Sequence, residues 1–219
     1  MGFRCRLLIR QGASGTCPTL TGHGPNAKRL GVKHHHCVTS VVNYIQRHGL
    51  NQVILVGHSF GGTVVQSIAA AIPDKVVRTV FVDALILEHN ECVMDVLPVE
   101  YGALFCGLAE QSLDNTMLIP WEIWRDNFMQ DAPEPIARRY WQRLSPEPNQ
   151  VNLDKLNLKQ FYSLSAPKSF IHCRQDKALP AGSLPSANVI KAWSIQTARD
   201  EWRSRGYVHA ARRTGGQDH

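Results

Sequence analysis

The sequence predicts an α/β fold, a mostly parallel sheet with helices on both faces, and three observations carry that expectation. Two apolar runs of strand length, Val53-Ile54-Leu55-Val56 and Val76 to Ala84, are separated by a stretch that reads as a helix. Both runs read as strands covered on each side, which is how strands of a parallel sheet look. After a long interruption the pattern resumes at Lys168-Ser169-Phe170-Ile171-His172-Cys173. Helix alternating with apolar strand is the signature of a helix-covered parallel sheet.

Taken in order, a helix is expected from about Thr39 to His48, closed by Gly49-Leu50-Asn51. The strand at residues 53–56 leads to a helix over Thr63 to Ile72, which Ala71-Ile72-Pro73-Asp74 breaks before the second strand. From about residue 88 to 164 the character changes. Prolines at 98, 120, 133, 135, 146 and 148 interrupt short helical pieces, and Trp121, Trp124, Phe128, Tyr140 and Trp141 gather. Such a segment suits a helical lid inserted between sheet strands over an apolar pocket, and the same aromatics also suit a core. A weaker strand is expected over Asn188 to Trp193, with a helix beginning near Gln196. The whole, residues 1–219, reads as one domain carrying that insertion.

Composition sets the frame for function. The chain has 219 residues, 43% hydrophobic and 19% charged, a globular balance. No run approaches the roughly 18 apolar residues of a membrane span. The first ten residues carry charges inside a short apolar stretch and lack a secretory core, so a cytoplasmic address is expected. Met1-Gly2 is not followed by the Ser or Thr that myristoylation wants. The net charge of +6 is weighted to the tail, where Arg199, Arg203, Arg205, Arg212 and Arg213 lie, and no nucleic-acid motif accompanies it. The six cysteines (Cys5, Cys17, Cys37, Cys92, Cys106, Cys173) form no C-x-x-C pair and read as thiols. His34-His35-His36-Cys37 resembles a metal cluster, but consecutive side chains diverge, so no metal site is assigned.

The chemistry concentrates at Gly57-His58-Ser59-Phe60-Gly61, a G-x-S-x-G run between a strand and a helix. There a serine sits on a sharp, strained turn, and a side chain at Gly57 or Gly61 is expected to collide with the neighbouring strand or helix. The helix that follows points its N-terminal amides to where an oxyanion would form.

Three segments then resemble the α/β-hydrolase superfamily, in particular the small esterase branch of plant methylesterases, hydroxynitrile lyases and bacterial relatives. They are Pro18-Thr19-Leu20-Thr21-Gly22-His23-Gly24, the stretch from Val53 to Gly62, and Ser169 to Pro180 around Asp176. The resemblance implies the α/β-hydrolase fold, with Ser59 as nucleophile, Asp176 as triad acid and the backbone N–H of Phe60 as an oxyanion donor. Asp83, at a strand end, is the alternative acid position or a hydrogen bonder at that end. Trp121 and Trp124 are the expected lid contacts to substrate. No cofactor or metal is implied.

Two segments depart from the family pattern. The strands and the helix that normally open the fold are missing, so the fold is expected to be shortened at its N-terminus, with Ala13 in Gln11-Gly12-Ala13 as the candidate second oxyanion donor. The catalytic histidine falls to His209 in Gly206-Tyr207-Val208-His209-Ala210, where Arg212-Arg213 follow instead of a docking helix; a tail-surface histidine is the competing reading. His23, His58 and His219 are weaker candidates. The expected function is cleavage of small carboxylic esters by Ser, His and Asp, an enzyme whose partner is its small-molecule ester. The alternatives are a catalytically impaired binding protein, or hydroxynitrile lyase chemistry, which needs a lid lysine and a threonine that cannot be assigned. Neither nucleic acid nor membrane is expected as a partner, and a homodimer that completes the shortened sheet is conceivable.

Overall fold

The computed structural model describes residues 14–179 and 193–198. Four parallel strands form the sheet: β1 (Val53–Ser59), β2 (Val76–Ala84), β5 (Lys168–Cys173) and β6 (Ser194–Ala198), in the order β1-β2-β5-β6. A separate two-stranded antiparallel pair joins β3 (Thr116–Met117) to β4 (Glu147–Pro148). Because the four strands run the same way, their C-terminal ends, Ser59, Ala84 and Cys173 among them, share one edge. In open α/β sheets that edge is where ligands bind.

Helix α1 (His34–Arg47) precedes β1, and α2 (Gly61–Ala71) follows it directly. α2 is the central support. It packs on β1 and β2, while α1 and α8 (Lys159–Ser163) pack on α2. Val64, Val65, Ile68 and Ala69 of α2 meet Leu55, Phe81 and Phe170 of the sheet in one apolar core, with Phe161 of α8. Trp193 closes the far side, its ring stacked on Phe81 with centroids 5.2 Å apart. The opposite sheet face is barer among the described residues, with Ile54 and Val56 of β1 58% and 54% exposed.

Between β2 and β5 the chain forms α3 (Val93–Val96), α4 (Val99–Glu110), α5 (Trp121–Ile123), a π-type turn over Trp124–Phe128, α6 (Glu134–Trp141) and α7 (Gln150–Leu153). The prolines cut this segment up as expected: Pro98, Pro120 and Pro133 each stand immediately before a helix, where a missing N–H costs nothing.

Three boundaries differ from the sequence expectation. Helix α1 starts at His34 instead of Thr39, because its first turn is anchored from outside: Asp154, just past α7, accepts the backbone N–H of His34 at 2.8 Å. α2 starts at Gly61, with no gap after the serine turn. At the C-terminal end, a strand stands where a helix was expected near Gln196. Ser194–Ala198 pairs in parallel with Ser169–Cys173. The ladder offers each of these residues backbone partners along the margin of β5, and a helix begun there would leave that margin open. Of the weaker strand expected over residues 188–193, only Trp193 falls within the described residues, and it precedes β6.

Candidate active site

The serine turn is built by close backbone approach. Ser59 ends β1 with φ of 51°, a left-handed conformation that costs a non-glycine residue about 1–2 kcal/mol. The chain then enters α2 at once, with Phe60 as its N-cap. A Cβ on Gly57 would stand 2.6 Å from the carbonyl oxygen of Gly61, so this glycine is required. Gly61 corrects the sequence expectation: a Cβ there meets nothing within 4 Å. The second sterically required glycine is Gly62, where a Cβ would lie 2.6 Å from the Leu85 carbonyl oxygen and 2.7 Å from Ala84 Cβ. The elbow is tied to β2 as well, through Leu85 N–H donating to the Ser59 carbonyl at 3.0 Å. As at any helix start, the first N–H groups of α2 have no acceptor within the helix, which leaves the end beside Ser59 suited to a developing negative charge.

The Phe60 ring lies between two imidazoles. His23 stacks on it with centroids 6.0 Å apart, and His34 meets it edge-on at 5.8 Å. His34 is 2% exposed, and its Nε2 lies 2.9 Å from Thr63 Oγ1. Thr63 gives its own hydroxyl hydrogen to the Phe60 carbonyl at 2.8 Å, so Nε2 of His34 must be the donor to Thr63. Burial drives the His34 pKa down from 6.5 to about 4, against the charge of Asp154 and with that of His35. His23 goes the other way. Burial disfavours its charged form, but interactions with the Cys37 thiol, Glu147 and the Thr21 carbonyl outweigh that and hold it at about 10. Its Nε2 is 3.7 Å from Glu147 Oε2, an ion pair too long to be a hydrogen bond.

Asp176 lies just past β5, in a turn closed by its own N–H on the Cys173 carbonyl at 3.0 Å. Its Oδ1 accepts the backbone N–H groups of Ala178 and Leu179 at 2.8 and 2.9 Å, which fixes the plane of the carboxylate. The inserted segment reaches this turn: Gln130 Nε2 donates to the Gln175 carbonyl at 3.0 Å. Tyr101 of α4, which accepts a hydrogen bond from Asn127 at 2.8 Å, has its pKa raised by burial and by the charge of Asp176.

Asp83 was expected from sequence as an alternative acid position or as a hydrogen bonder at a strand end, and its hydrogen bonds are of the second kind. It is 2% exposed, with φ of 35°. Both its oxygens accept the Cys173 N–H at 2.9 Å, and Oδ1 also accepts His172 Nδ1 at 3.0 Å. This His172–Asp83 pair is a feature that sequence reasoning missed. The strand spacing was the available signal, since Val82 pairs with Ile171 and the next residues on β2 and β5 are Asp83 and His172.

Trp121 and Trp124 lie within the inserted segment and are largely engaged there. Trp121 packs against Trp141 at 5.8 Å and under the guanidinium of Arg138 at 4.1 Å, and Trp124 Nε1 donates to the Ala137 carbonyl at 3.0 Å. His209, His219 and Ala13 lie outside the described residues. The remaining histidines of the His34-His35-His36 run sit at the start of α1, where His36 Nδ1 accepts the Lys33 N–H at 3.0 Å.

A family model described as "Alpha/beta hydrolase family" matches residues 2–214. The chain belongs to that family. Among solved structures of alpha/beta hydrolases, one is an extracellular protein from a Paenibacillus species, described as sharing structural and functional homology with tobacco salicylic acid binding protein 2. It is 32% identical to this chain with a TM-score of 0.84, covering 96% of this chain and 90% of its own. A methylesterase from Arabidopsis shares the fold at 16% identity and a TM-score of 0.70, over 96% of this chain and 91% of its own. A carbendazim hydrolyzing esterase of Nocardioides sp. (strain SG-4G) is 39% identical over 96 residues, a stretch covering 41% of this chain and 40% of that esterase's length. The cytoplasmic expectation finds no counterpart here, since the Paenibacillus hydrolase is described as extracellular. Among the described residues no helix is long and apolar enough to cross a membrane.

Proposed function

We propose that this alpha/beta hydrolase is a serine esterase acting on small carboxylic esters. The observation that carries the reading is Ser59 itself, held at φ of 51° on the junction of β1 and α2 by glycines that tolerate no side chain. That strain presents a hydroxyl at the C-terminal edge of the sheet beside a helix N-terminus. Asp176 stands at the same edge, beyond β5, in the chain order Ser then Asp. The names of relatives, an esterase hydrolysing carbendazim and a methylesterase, support the substrate class.

In this reading His209 takes the Ser59 proton as Oγ attacks the ester carbonyl, and Asp176 holds the imidazole in its working tautomer. The Phe60 N–H, with Ala13 as second donor, binds the oxyanion. The C–O bond breaks, the alcohol leaves with the proton returned by the imidazole, and water then cleaves the acyl-enzyme to release the acid. The inserted segment from about 88 to 164 acts as a lid over the site, with Trp121 and Trp124 on the substrate side.

The test is a fluorophosphonate reaction followed by peptide mapping, with turnover of short p-nitrophenyl esters in parallel. A stoichiometric adduct on Ser59, absent in Ser59→Ala, is the expected result, with His209→Ala losing several orders of magnitude in turnover. Folded protein that takes no label overturns the reading in favour of a binding protein on the same scaffold. Labelled protein with unchanged turnover in His209→Ala removes that histidine from the mechanism.

A further inference from the structure

We infer that Asp83 is a positioning residue for this reaction, fixing the Asp176 turn relative to the Ser59 elbow; the inference rests on the esterase reading. Asp83 combines two costly features, a buried carboxylate and a left-handed backbone without glycine. Its partners account for both. The regular pairing of β2 with β5 extends from Thr79 opposite Lys168 to Val82 opposite Ile171. One residue further on, the Asp83 side chain takes over from the backbone, and its two oxygens receive the Cys173 N–H while His172 Nδ1 holds Oδ1. The Cys173 carbonyl then receives the Asp176 N–H, which closes the turn carrying the acid. One hydrogen-bonded path therefore runs from Asp83 through the Cys173 peptide groups to Asp176.

The other side of the same three-residue segment holds the nucleophile. Leu85 N–H donates to the Ser59 carbonyl, and the Leu85 carbonyl and Ala84 Cβ fill the space left by the missing side chain of Gly62. Residues 83–85 are thus a spacer between Ser59 on β1 and Asp176 beyond β5. Among the described residues both Asp83 oxygens accept from the end of β5, so the role inferred for Asp83 is exerted through Asp176. Positions supporting an active-site group are worth about 10- to 100-fold when lost.

The experiment is a double-mutant cycle on the full chain with Asp83→Asn, Asp176→Asn and the pair, reading kcat and KM for a short p-nitrophenyl ester and first confirming the fluorophosphonate adduct on wild-type Ser59. Asp176→Asn is expected to lose about 10⁴ in kcat, as removal of an orienting acid does elsewhere. Asp83→Asn is expected to lose about 10-fold in kcat with KM within about threefold, and to change kcat less than about twofold once Asp176 is already Asn. Asp83→Glu serves the same cycle should the Asn protein be insoluble. An equal loss in both backgrounds, or none in the wild type, overturns the inference, and a loss as large as that of Asp176→Asn makes Asp83 the acid instead. A wild-type protein that takes no label refutes the esterase reading, and the inference falls with it; a labelled wild type with additive losses refutes the inference alone.

Discussion

Acid should weaken this fold in part through one buried imidazole, that of His34. The residue is neutral when folded, because Nε2–H is committed to Thr63 and the site is buried, so charging the ring means placing a cation in the core. Its pKa is near 6.5 unfolded and about 4 folded, so the unfolded chain binds the proton first as pH falls. One pH unit between the two values is worth about 1.4 kcal/mol, which makes the whole difference about 3 kcal/mol, of which about 2 kcal/mol is expressed by pH 5. The sign follows: stability contributed by neutral His34 is complete above pH 6.5 and is lost on acidification, with no further loss below about 4. The assay is urea denaturation at pH 7.5, 6, 5 and 4 on wild type and His34→Gln, which keeps a donor toward Thr63 but cannot titrate. Taking the difference between the two proteins cancels the carboxylates. The variant's deficit at pH 7.5 should shrink by about 2 kcal/mol at pH 5. Parallel pH curves for the two proteins would refute the reasoning.

The glycines of the elbow should separate cleanly by alanine substitution. Gly57→Ala and Gly62→Ala meet backbone atoms at 2.6 Å and should each cost about 1–3 kcal/mol, whereas Gly61→Ala faces open space and should be neutral or raise Tm by a few degrees. Thermal melts of the three proteins check this, and a destabilised Gly61→Ala contradicts the geometry. His23 predicts the opposite pH trend to His34. Its raised pKa means stability that is complete below 6.5 and is lost as pH rises toward about 10, so His23→Gln should flatten the alkaline limb of a stability profile. In the inserted segment, Trp124→Phe removes the Nε1 donor to the Ala137 carbonyl and should cost about 1 kcal/mol of stability, measurable by denaturant melts. Trp121→Ala should change the ranking among p-nitrophenyl esters of different acyl length more than it changes Tm; an unchanged ranking would make Trp121 a packing residue.

What sequence made legible follows the range of the physics involved. Strands β1, β2 and β5 and the helix after Ser59 were readable because short apolar runs and glycines act locally. The strand at Ser194–Ala198 was not, because its place is decided by pairing with β5 about 25 residues earlier, and its own pattern, Ser-Ile-Gln-Thr-Ala, is only half apolar. The motif itself misled at one position. It marks Gly61 as required, yet the crowded site is Gly62, and only the approach of Leu85 from β2 reveals it. The histidine run at 34–36 shows the same limit: three identical neighbours differ in fate because helix α1 turns His34 toward Thr63 and Phe60. The His172–Asp83 pair depended on strand register, which one sequence encodes only through the complete sheet.

Ser59 and Asp83 are both non-glycine residues at positive φ, and they stand on adjacent strands of the same sheet edge. Strain of this kind persists only where surrounding contacts over-determine it. Here the contacts are shared: the Ser59 carbonyl is held by Leu85 N–H, Gly62 by Ala84 and Leu85, and Asp83 by the end of β5. The Leu85–Ser59 bond and the Asp83–Cys173 bonds leave from residues two apart on one chain segment, so a shift of that segment strains both turns together. The C-terminal end of β2 therefore holds both the Ser59 turn and the end of β5 that leads to Asp176, and it does so with a buried carboxylate at a position where an apolar side chain would fill the core at lower cost.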